Sequence, residues 1–150
     1  MTPPDFDPNG NRIGGGIGCN TCHVAPEFDI DPNSLNNGVI DLINSANEDL
    51  TLTHSPTLRD LVKPNGDANG ATMHSAISSN RNAILNHYNN GIVANANLDP
   101  RLTGPPGPNG PAIQNLQLSQ QERTQVIAFL ETLSGTDVDT NQKWSDPFIN

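Results

Sequence analysis

Apolar positions are sparse along this chain and gather in four stretches. Between Leu35 and Leu50 the residues Val39, Ile40, Leu42 and Ile43 fall together, which predicts a short helix. Ser55-Pro56 reads as a helix opening, with Leu58, Leu61 and Val62 on one side and Pro64 as its stop. From Ser79 to Tyr88, Ala83, Ile84, His87 and Tyr88 share one stripe, and Gly91 stands just past its end. The clearest element follows Leu118. Ser119 and Glu122 have the spacing of a capping box, and Val126, Ile127, Leu130 and Leu133 recur at helical intervals up to Gly135. No stretch alternates cleanly enough for a strand, and no segment repeats. Residues 1–16, rich in Pro, Asn and Gly, are expected to be an extended lead-in. Leu98 to Pro111, dense in Pro and Gly, is expected to be irregular, as is Lys63 to Ala71. The pattern predicts an all-α domain over 17–135. A tail at 136–150 is expected to pack back through Trp144 and Phe148.

Composition makes that domain hard to stabilise by side chains alone. One third of the 150 residues are apolar and only 4% aromatic, while Gly and Pro each occur 13 times. A chain of this length with so little apolar surface builds a thin core. Loop-rich chains with thin cores usually carry a staple: a disulfide, a metal or a large prosthetic group.

The candidate staple is Cys19-Asn20-Thr21-Cys22-His23, a C-x-x-C-H sequence. This is the attachment signature of c-type haem. The two thiols add across the porphyrin vinyl groups, and the adjacent imidazole ligates the iron from one face. Cys19 and Cys22 are the only cysteines, so one covalent haem c is expected and no spare thiol remains. Three other uses of the pair compete with haem attachment. A thioredoxin-like dithiol needs a βαβ setting. A zinc site needs further ligands, and His54, His74 and His87 are not closely spaced. A disulfide between Cys19 and Cys22 would close a very short loop and stabilise little. With the haem, the expected architecture is a cytochrome c-like domain: several short helices around one group, with long Pro/Gly/Asn-rich loops.

On residue type, the sixth iron position has two readings. Met73, the only methionine besides Met1, offers a thioether that suits a low-spin haem and raises its potential. Equally, a methionine fills gaps in cores. His74 is the rival ligand, while His54 and His87 fit surface or core roles.

The order C-x-x-C-H, Ser55-Pro56-Thr57-Leu58-Arg59-Asp60, Met73-His74 and Ile84-Leu85-Asn86-His87-Tyr88 resembles the bacterial di-haem cytochrome c peroxidase and MauG family, specifically its C-terminal haem domain. The closing stretch from Leu118 to Gly135 is similar as well, so the likeness runs from Gly18 to Gly135. It implies Met73 as the distal ligand and Arg59 as the partner of a haem propionate, where a guanidinium fork matches a carboxylate. Thr53-His54-Ser55 ahead of the Pro, Ala71-Thr72 ahead of Met73 and Ser75-Ala76 after His74 depart from the family pattern. The family also uses two haems, and this chain has one attachment motif.

With Met73 closing the iron, the expected function is mono-haem electron transfer within a larger redox protein. The alternative is a peroxidase-type domain that needs a second haem or loss of the distal ligand. Charge shapes the partner. Sixteen acidic against seven basic residues give a net −9, which repels nucleic acid and favours a redox partner with a basic docking face. No stretch approaches the ~20 apolar residues of a membrane span. The first ten residues lack the basic and apolar regions of a signal peptide. Because c-type haem is attached outside the cytoplasm, a periplasmic or extracellular protein is expected, with this chain as its mature or excised piece. Asp29, Asp31 and Asn33 alternate as at the start of a calcium loop, but Ser34 and Ile40 stand where that loop needs Gly and Glu.

Overall fold

A computed structural model describes residues 2–26, 28, 31–42, 45–63, 65–76, 78–135, 137 and 141–144. Ile43, Pro64, Asp29 and Phe148, all invoked above, lie outside the described residues, as does most of the tail. Two antiparallel hairpins and two α-helices make up its named elements. Strand β1, Pro4–Phe6, pairs with β2, Arg12–Gly15. Helix α1 covers Arg81–Asn86 and runs on into one π turn, His87–Gly91. Strands β3, Thr103–Gly107, and β4, Gly110–Ile113, form the second hairpin. Helix α2 spans Gln120–Glu131.

The all-α expectation is therefore wrong: among the described residues, strands and isolated bridges together are nearly as abundant as helix of all kinds, at 22% against 24%. Both misread segments are Pro/Gly-rich, the lead-in 1–16 and the stretch 98–111. Each hairpin is an isolated two-stranded sheet, so every strand is an edge strand. There a proline needs to lose no ladder hydrogen bond, and glycine weakens the strand without excluding it. A register shift in each hairpin, between Asp5 and Phe6 and between Thr103 and Pro106, erases the alternation by which a strand is recognised.

Two helix expectations also fail. Around 35–50 the chain instead makes isolated bridges, Asn36 with Leu98 and Asp41 with Glu48. At Ser55 it bridges Asp31, and Ser34 Oγ accepts the Ser55 N–H at 2.8 Å, so no helix opens there. Asn36 and Ser55 take their backbone partners from distant parts of the chain and Asp41 pairs across a local turn, which outweighs a weak helical propensity.

The two helices that do form have complete local signals. Asn80 caps α1 by accepting the Asn82 N–H at 2.9 Å. At α2 the Glu122 N–H donates to Ser119 Oγ at 3.2 Å, while Glu122 returns a carboxylate oxygen to the Ser119 N–H at 2.9 Å. That is a full capping box. Arg12 then ties the first hairpin to α2, donating to the Leu116 carbonyl at 2.7 Å and to Glu122 at 2.5 Å. This ion pair, with the cap, holds the Glu122 carboxyl down at about 2.

The apolar core is small, as composition requires. Leu85, Leu116 and Leu118 form its buried centre, with Phe6, Ile17, Tyr88, Val126 and Ile127 packed against it. A buried polar layer extends it. Asn36, wholly enclosed, donates to the Thr51 carbonyl at 2.9 Å, and its own amide oxygen accepts from Gly38 N–H at 2.8 Å and Asn95 at 2.9 Å. Asn89 accepts the Leu118 N–H at 2.7 Å, and the Gln114 amide donates to the Tyr88 carbonyl at 2.7 Å. Buried amides satisfied this way replace ladder hydrogen bonds that irregular backbone lacks.

Gly10, at the turn of the first hairpin, marks where the two hairpins touch. Its φ is +81°, its carbonyl accepts the Asn115 N–H at 2.7 Å, and a Cβ there would lie 2.3 Å from the Ile113 carbonyl oxygen. Gly10→Ala therefore combines an unfavourable backbone region with a clash against main chain. A loss of about 2 kcal/mol or more is expected, read as a lower urea midpoint at unchanged slope. The matching substitution Gly66→Ala meets no atom within 4 Å and isolates the backbone part of the cost.

Candidate functional site

The C-x-x-C-H residues occupy one tight turn. Gly18, at φ +75°, leads into a single 3₁₀ turn, Cys19–Thr21. Thr21 closes it, its N–H and hydroxyl both donating to the Gly18 carbonyl, at 2.9 and 2.8 Å. The Cys19 carbonyl accepts the His23 N–H at 2.9 Å. Both cysteines are free thiols in this turn. Cys19 is exposed as a residue, yet the atoms crowded around its sulfur push its thiol pKa up, and burial does the same to Cys22. Arg101 opposes that rise at Cys22.

His23 is half-buried, and desolvation lowers its imidazole pKa, against an opposing hydrogen bond with the Pro56 backbone. Its Nδ1 is enclosed and has no hydrogen-bond partner. A buried ring nitrogen without a partner costs roughly 1–3 kcal/mol, so such an atom calls for an explanation. An imidazole held neutral by burial, beside two unbonded thiols, has the donor chemistry that a covalently attached haem requires. The residues present fit that group.

Met73 lies on another wall. It adopts φ +64°, a left-handed backbone that costs a non-glycine residue about 1–3 kcal/mol. The turn is held by the Ala76 N–H on the Met73 carbonyl at 3.0 Å and the Thr72 hydroxyl on the Ser78 carbonyl at 2.6 Å. Met73 lines a cavity of about 170 Å³ with Val39, Ser78, Ala83, Ile84 and His87. His74, the rival ligand, instead faces Asp49, Nε2 to Oδ2 at 3.5 Å. His87 faces the Asn37 carbonyl with Nε2 at 2.9 Å, and burial lowers its pKa.

The Tyr88 ring meets the neighbouring His87 imidazole edge-on at 5.1 Å. Arg59 stands exposed on a turn where its N–H donates to Thr57 Oγ1 at 3.2 Å. A guanidinium beside the motif comes from Arg101, which donates to the Thr21 carbonyl at 2.8 Å. Sequence reasoning missed it, although Asp99-Pro100-Arg101 is a recognisable Asx-Pro turn signal.

Among the described residues, no group of three or more His, Cys, Asp or Glu side chains converges as a metal cage, and no helix is long and apolar enough to cross a membrane. Neither a protein-family model, nor a curated protein, nor a solved structure matches the chain.

The single tyrosine makes one prediction simple to read. Burial pushes the Tyr88 hydroxyl up to about 12. A folded-state value above the unfolded one, about 10, means the stability this group contributes is whole below pH 10. It is lost as pH rises through 12. Phenolate absorbance of the unliganded chain is expected to titrate near pH 12 or together with alkaline unfolding. A midpoint near 10 with the fold intact would show an accessible hydroxyl.

Proposed function

We propose that this chain is a mono-haem c-type electron-transfer domain acting outside the cytoplasm, within a larger redox protein. One observation carries the reading. Two free thiols and an imidazole with a buried, unpartnered nitrogen share a single turn. Cys19 and Cys22 would hold the porphyrin covalently, His23 would ligate its iron, and Met73 would supply the second axial ligand. The group supplies one-electron chemistry, and the protein tunes its potential through axial ligands and burial.

The chain's own residues support this role in three ways. Its small apolar core leaves a large apolar group as the natural staple. Met73 lines a cavity beside His87, where a thioether can face a bound group. Both thiols have pKa values raised above the ordinary, the reverse of what a reactive dithiol needs at neutral pH. A closed sixth position favours electron transfer over peroxide reduction. The acidic surface favours a basic redox partner.

Matured in a host that attaches c-type haem, the protein is expected to gain the mass of one haem and an intense Soret band. A colourless product of bare polypeptide mass, from a host that matures a control cytochrome, defeats the reading. With haem attached, Met73→Ala is expected to give high-spin spectra and a lower reduction potential. Unchanged low-spin spectra would remove Met73 from the iron and leave the rest of the reading standing.

A further inference from the structure

We infer that Arg101 is the positioning residue of the Cys19–His23 turn, holding the two thiols in the paired arrangement that double attachment requires. The inference rests on the haem reading for its purpose but on side-chain geometry for its substance. Arg101 gathers acceptors from three separate segments. Its Nη1 donates to the Thr21 carbonyl at 2.8 Å, inside the motif itself. The same nitrogen pairs with Asp31. Its Nε and Nη2 grip both carboxylate oxygens of Asp99, at 2.8 and 2.6 Å.

Asp99 gives this fork a fixed base. It is only 3% exposed and accepts N–H bonds from Leu35 and Arg101, each at 2.9 Å. Asp31 carries the tie to the other side of the motif, since it bridges Ser55, next to the Pro56 whose backbone meets His23. Arg101 therefore touches the turn directly at Thr21 and steadies the segment against His23 through Asp31. A bidentate guanidinium supplies several donors in one rigid plane, which an ammonium cannot reproduce. Thr21 offers only a backbone carbonyl here, so the tie is independent of its side chain.

The test uses the full chain without haem, reduced, with phenylarsine oxide as the probe. Capture forms two arsenic–sulfur bonds as the arsenic–oxygen bond breaks; both thiol protons leave with that oxygen as water, and nothing is oxidised or reduced. Two thiols already held together are captured faster than a loose pair, because the second bond closes within the molecule. Arg101→Lys keeps the charge and removes the fork. It is expected to retain the wild-type circular dichroism and to slow arsenical capture by about tenfold. Arg101→Met should slow it at least as much.

In the haem-attaching host, the same variants should accumulate singly attached product. The residual vinyl group shifts the pyridine haemochrome band, a change that a general loss of stability does not produce. Capture by a folded Arg101→Lys at the wild-type rate overturns the inference. So does unfolding of both variants, because Arg101 would then serve the whole fold rather than the turn. If the wild type acquires no haem at all, the functional reading fails while the arsenical comparison still decides the role of Arg101.

Discussion

The constraint that shapes this molecule is a shortage of apolar surface, answered by burying side-chain amides. Asn36, Asn89 and Gln114 are among its most enclosed polar residues, and each is hydrogen-bonded to backbone from a distant segment. Where a sheet or bundle would satisfy its main chain with itself, this chain satisfies it with asparagine and glutamine. Net gains per bond are about 1 kcal/mol, but a buried group left unpaired costs more than that. The network therefore specifies one arrangement more than it adds raw stability.

That constraint explains which parts of the structure were legible in advance. Helix α2 was, because its signals lie within one turn of each other: Ser119, Glu122 and the apolar residues behind them. Helix α1 was as well, though the stripe read to Tyr88 turns out to pass into a π turn at His87. The hairpins were not. Their strands are three to five residues long, interrupted by register shifts, and built from Pro and Gly that ordinarily signal loop. The failed helices at 35–50 and after Ser55 have a related cause, for Asn36 and Ser55 are claimed by backbone partners that no local window contains.

The candidate site divides along the same line. Cys19, Cys22 and His23 are contiguous, so their shared turn was visible as spelling. Met73 could be named by its chemistry, but its left-handed backbone and its cavity with His87 belong to tertiary structure. Arg101 reaches across 80 residues to Thr21, and only half of its environment, the Asp99-Pro100 turn, leaves a local trace. Tyr88 looked like one more member of an apolar stripe. Its packing against Leu85, Leu116 and Leu118 belongs to the folding of α1 onto the segment before α2.

Asn36 shows what this construction implies for the chain's freedom to vary. Its amide answers to Thr51, Gly38 and Asn95 together, while its own backbone joins Asn97 and Asp99. Changing one such residue strands several groups in different loops, and no single second change can recover them all. A protein knotted this way can drift widely in the exposed spans between its knots. The knots themselves can be replaced only as sets.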